Sequence, residues 1–170
     1  MANIELEGFD SYIKQLEALK TNSDKLCKAT VYPGARILGD ALRKAVDELP
    51  TISDAKARAN WRTGVPNEAL SESQKAGLQE SLGITNIRKD RRGMVQASVG
   101  FSGYNGVVTR HFPEGQPNAE VARSLEKGTS GIRRDAFVER TLNKIRDDCI
   151  AAMQAEADAQ IEKIMNNNQG

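Results

Sequence analysis

The last third of the chain sets the hardest constraint on how it can fold. From Asp135 to about Met165 there is no glycine or proline, and Val138, Leu142, Ile145, Cys149 and Ala152 recur in alternating steps of four and three. Met153, Ala157, Ile161 and Ile164 continue on a neighbouring stripe. That period belongs to an amphipathic helix. Roughly 30 residues at 1.5 Å each make a rod of about 45 Å, longer than a small sheet needs for cover. Part of it is expected to meet something else. Asp135 stands where its carboxylate can cap the orphan amides at the helix start, and the run Asn166-Asn167-Asn168-Gln169-Gly170 after it reads as a polar, frayed tail.

A hinge precedes this rod. Asn118 can cap a short helix over 119–127, with Val121 and Leu125 four apart, and Gly128 stands where helices close in the left-handed conformation. Leu125 supplies an apolar anchor and Glu126 a carboxylate just before that glycine.

Earlier in the chain, Phe9, Ile13, Leu16 and Leu19 mark a short amphipathic helix, with Glu7 and Asp10 near its N-terminal end. Thr21-Asn22-Ser23-Asp24 offers turn and capping side chains, after which a second helix runs from Leu26 to about Leu49 and stops at Pro50. Pro33 either kinks this helix or makes it restart near Thr30. Its seam is Ala35, Leu38, Leu42, Ala45 and Leu49. The stretch of about 51–70 shows no periodic apolar face and reads as a long mobile loop; such loops tend to be functional or disordered. Trp61 and Arg62 lie in it. They are residue types that anchor interfaces; the plainer alternative folds Trp61 back over the chain's own core.

Ser71 or Ser73 can cap a helix ending at Leu82, and Gly83 stops it. Two-fold alternation from Met94 to Phe101 predicts a half-buried strand, with Ile84 to Arg88 as hairpin partner across Lys89-Asp90-Arg91-Arg92-Gly93. Val107 to His111 is expected to add a third strand. The expected fold class is therefore α+β: N-terminal amphipathic helices, a small antiparallel β-sheet, and a long C-terminal helix packed across it.

At 170 residues the chain fits one domain spanning 1–170. A net charge of +1 provides no global field that would draw it to DNA or to an anionic membrane. Glu5, Glu7 and Asp10 occupy an N-terminus without an apolar core, and no window approaches 18 consecutive apolar residues, so neither a signal peptide nor a membrane span is expected. Catalytic inventory is thin. His111 is the single histidine, and Cys27 and Cys149 fall in apolar helix positions without CxxC spacing, so no metal site, cofactor or nucleophile pair is expected. The glycines form no phosphate loop. The one charge cluster, Arg88, Lys89, Arg91 and Arg92, can meet phosphates or acidic neighbours, or stand as a solvated turn; no aromatic residue interleaves it to stack bases.

The hinge also carries a resemblance. Leu125-Glu126-x-Gly128-Thr129, with Ala122 before it and Phe137 and Leu142 after it, together with Gly77-Leu78-x-x-Ser81-Leu82 and the terminal helices, resembles a bacteriophage family of tail-completion or neck components. That family includes the lambda Z-type minor tail proteins. The resemblance implies a small α+β virion protein, assembled in host cytoplasm, without enzymatic activity. It would join tail to head at the neck as a ring, plausibly six-fold, around the DNA channel. Its partners would be copies of itself and the tail terminator, tail tube or head-to-tail connector, with at most non-specific contact to DNA and none to membrane. On this reading Trp61, Arg62, Leu125, Glu126, Gly128, Thr129 and Phe137 serve a subunit or partner interface. The alternative is a nucleic-acid-binding or regulatory module that uses the Arg88 to Arg92 hairpin.

Overall fold

A single helix, α1 (Phe9–Glu48), takes up most of the first 50 residues in the computed structural model, which describes residues 9–167. Glu5, Glu7 and residues 168–170 lie outside the described residues. The expected break at Thr21 to Asp24 does not occur. Thr21 Oγ1 donates to the Glu17 carbonyl and Asn22 Nδ2 to that of Ala18, both 2.8 Å, so the side chains that could cap a new helix bond back one turn within the old one. Pro33 sits inside α1 without ending it. A proline there forfeits a backbone bond and crowds the preceding turn, at about 3 kcal/mol, and a second helix offsets that penalty.

That second helix is α5 (Phe137–Asn166). It runs antiparallel along α1: Phe137 is buried beside Leu42, Val46 and Leu49, whereas Cys149 and Met153 meet Gly34. The approach at Gly34 is close. A methyl group there would lie 2.7 Å from Met153 Sδ, and Cys149 Sγ is 3.5 Å from the Gly34 carbonyl oxygen it bonds. The long C-terminal helix thus packs against α1, and not across a sheet as expected; the strand pieces are too small to cover it.

Between the two long helices the chain builds a small head. β1 (Thr51–Ile52) pairs in parallel with β2 (Leu70–Ser71). The segment expected as a loop between them contains α2 (Asp54–Thr63), whose N-cap Ser53 accepts from the Lys56 amide and whose C-terminus closes on Gly64 at φ 71°. Next, α3 (Glu72–Ser81) opens with a capping box between Ser71 and Gln74. Lys75 on α3 reaches back to donate to the Asp47 and Leu49 carbonyls at 2.8 and 2.7 Å, placing an ammonium on the negative end of α1.

The expected hairpin forms in two pieces. β3 (Leu82–Ile84) pairs with β6 (Val99–Phe101), and β4 (Arg88–Lys89) with β5 (Val95–Gln96), both antiparallel. Register shifts by one residue between the pieces, as a bulge requires. No third strand forms over Val107 to His111. Asn105 Oδ1 accepts from the Val107 amide, and Thr109 and Phe112 exchange backbone bonds, so the segment closes on itself. Gly77 explains its place in the Gly77-Leu78 motif: a Cβ there would fall 2.5 Å from Asn105 Cβ and 2.6 Å from Asn118 Oδ1, so only glycine lets this loop lie against α3.

The core lies where α1, α3, the hairpin, α4 (Asn118–Lys127) and α5 converge. Val46, Leu70, Leu78, Leu125 and Phe137 are buried there, and Phe101 tilts against Phe137 with ring centroids 6.2 Å apart. Burying each such side chain stabilises the fold by about 1.5 to 3 kcal/mol.

Candidate functional site

The hinge residues divide into two groups. Leu125 and Phe137 are 2% and 1% exposed and contact this chain's own core. Glu126 works on the backbone, its Oε2 accepting from the Val138 amide at 2.9 Å and its Oε1 from the Glu139 amide at 3.1 Å. A carboxylate from α4 therefore caps α5, in the role expected of Asp135, with both oxygens on the positive end of that helix. Asp135 instead pairs with Arg140 and donates its amide to the Leu125 carbonyl. Gly128 has the expected positive φ, 74°, but its ψ of 150° is extended and not left-handed helical. A side chain there would meet the Arg134 backbone nitrogen at 3.1 Å. Asn118 does not cap α4; its Nδ2 donates to the Ser102 carbonyl and pins the long loop.

Thr129 and Gly131 are exposed and, with the buried Ile132, line a cleft of about 530 Å³ that Trp61 and Arg62 also line. The structure thus brings together three regions that are distant in sequence: α2, the 106–112 loop and the hinge. Trp61 does not cover the core. It is 72% exposed, and no residue of α2 is buried. Val108, itself 67% exposed, Phe112, Arg58 and Arg110 line the same cleft.

Asp54 anchors one wall. Its carboxylate accepts from the Ser73 amide at 3.2 Å and from the Ser73 hydroxyl at 2.5 Å. The hydroxyls of Ser71 and Ser73 hold it below the ordinary aspartate range. Sequence reasoning missed Asp54, Arg58, Val108, Arg110 and Phe112 as cleft residues. The signal for α2 is present in Ser53-Asp54 at its start and Gly64 at its end.

The basic hairpin lies outside this cleft. Asp90 holds its tip by accepting from the Arg92 and Met94 amides. Lys89 bonds Asp24 on α1 at 2.6 Å and pulls that carboxyl down, so it ties the hairpin to the helix. Arg88, Arg91 and Arg92 are exposed. Cys27 is exposed, not on an apolar face, while burial against α1 pushes the Cys149 thiol up, away from thiolate chemistry. His111 is exposed in the 102–117 loop. Among the described residues no three metal-binding side chains gather, and no helix is long and apolar enough to cross a membrane. The arrangement offers recognition surface: an aromatic anchor, apolar neighbours and guanidinium donors. No family model, curated protein or solved structure matches the chain.

Proposed function

We propose that this chain is a structural virion protein of a tailed phage or prophage. It acts in tail completion and head-to-tail joining at the neck, through contacts with its own copies and with tail terminator, tail tube or connector subunits. The resemblance of the Leu125 to Thr129 hinge supplies that setting. The observation that carries the docking role is the apolar surface left on the two-helix arm and the head. Ile13, Leu16 and Tyr32 on α1, Leu142 and Ile150 on α5, and Trp61 on α2 are each more than two-fifths exposed. On this reading these side chains are the ones that neighbouring subunits cover on assembly.

The alternative, a nucleic-acid-binding module, draws on Arg88, Arg91 and Arg92, which stand exposed at one hairpin tip. Reversing all three charges to glutamate separates the readings. Under the assembly reading, duplex DNA retention on a filter at physiological salt changes little, while tail joining in a complementation assay is altered. Loss of strong DNA retention with normal joining would instead favour the nucleic-acid module.

A further inference from the structure

The two-helix arm has edges of opposite charge. Along α1, Asn22, Leu26, Ala29 and Pro33 are half-buried at steps of four, three and four, the seam that meets α5. Lys20, Asp24 and Lys28 are exposed, each two residues from that seam and so about 200° round the helix from it. They face away from α5, on the side where Lys89 of the hairpin binds Asp24 at 2.6 Å. Arg91 and Arg92 stand exposed at the tip of that hairpin. This edge therefore holds five cations, Lys20, Lys28, Lys89, Arg91 and Arg92, against three carboxylates, Glu17, Asp24 and Asp90. With all three carboxylates counted, positive charge remains in excess.

The opposite edge belongs to α5. Its half-buried seam is Ile145, Cys149, Ala152, Glu156 and Gln160. Asp147, Asp158 and Glu162 are exposed, each two residues from that seam, and so point away from α1. None of the three forms an ion pair among the described residues. Lys144, a turn before Asp147, offsets one of them, and the stripe stays negative.

The heights of these charges also match. Gly34 is level with Cys149 and Met153, and the two helices run antiparallel with the same rise per residue. About six residues down α1 to Lys28 correspond to about six up α5, which arrives beside Asp158. Lys20 falls within a turn of the height of Glu162.

We infer that the Asp158 and Glu162 stripe of one copy docks on the Lys20 and Lys28 edge and the Arg91-Arg92 tip of the next, the copies standing side by side at one height with their arms parallel. The two edges lie on opposite sides of one arm, so a single partner cannot use both at once. The contact is therefore head-to-tail, joining two different patches, and such interfaces close into rings or extend as filaments. It rests on the assembly reading above and names the surfaces that assembly would use.

Sedimentation velocity of the full chain, carried to millimolar concentration because a contact this narrow is at the low end of interface sizes, tests it. The wild-type chain self-associates, and association weakens as salt rises. Lys20→Glu with Lys28→Glu raises the dissociation constant on the order of tenfold or more, because attractions become repulsions. Asp158→Lys with Glu162→Lys does the same. An equimolar mixture of the two variants associates again, since each keeps the edge that the other has lost. Asp158→Asn with Glu162→Gln, which removes the charges with little change of shape, weakens association severalfold with the helical circular dichroism signal unchanged.

A wild-type chain that stays monomeric throughout, a mixture as weak as its components, or a neutral variant that associates like wild type overturns the docking. Duplex DNA retention that is lost in the Lys20→Glu, Lys28→Glu variant while self-association is untouched also overturns it, and gives the basic edge to nucleic acid. Association that survives both charge reversals removes this route while leaving the assembly reading in place. That reading fails separately, on particles that assemble normally without the chain.

Discussion

Glu126 shows how a motif that reads as an interface can first be a matter of architecture. Both of its oxygens accept amides of α5, and its neighbour Leu125 is buried in the core, so one dipeptide fixes where the second long helix begins. Glu126→Ala leaves those two amides without the carboxylate and should lower unfolding free energy by about 1 to 2 kcal/mol, read by urea denaturation. An unchanged midpoint would mean that water replaces the cap without loss. Asp54 has a different dependence. Its carboxyl is held down by the Ser71 and Ser73 hydroxyls, so the stability it contributes is fully present above the ordinary aspartate range near 4. That contribution disappears as pH falls through the lower folded value. Asp54→Asn should therefore be less stable than wild type at pH 7, and the gap between the two should narrow by pH 3. A gap independent of pH would exclude the ionised carboxylate as its source.

At the scale of elements, legibility follows whether local signals and tertiary support agree. The α5 rod, the Ser71-capped α3 and the hairpin around Asp90 are readable because periodicity, caps and turn residues point to one answer. α1 reads as two pieces because Thr21, Asn22 and Pro33 are local signals for a break. At Pro33 what overrides them is α5, which braces α1 beside Gly34 from outside any local window; at Thr21 and Asn22 the side chains bond back within the helix. α2 escapes notice for the opposite reason. It has no buried residue, so it shows no apolar stripe, and only its Ser53 cap and Gly64 stop declare it. The cleft is half legible: Trp61, Arg62 and Thr129 stand out in the sequence, but the topology that carries Val108, Arg110 and Phe112 to them leaves no mark in spacing. The brace itself can be tested at Gly34, where an added side chain collides with Met153. Gly34→Val should cost about 1 to 3 kcal/mol and lower the helical circular dichroism signal by loosening α1 from α5. Retained helicity and stability would show that the two helices do not depend on that close approach.

Across the whole molecule, a small α+β head holds the core, while two long antiparallel helices carry exposed apolar side chains away from it. Leu16, Tyr32, Ile150 and Trp61 stand exposed, and under the proposed assembly role neighbouring copies would cover them. Under the proposed neck role the near-neutral charge would let DNA slide through a ring without being gripped. The most direct test is electron microscopy of phage particles produced with this gene deleted. The account predicts filled heads and separate tails that do not join, and that joining returns when the intact chain is supplied. Complete, infectious virions from the deletion would contradict it.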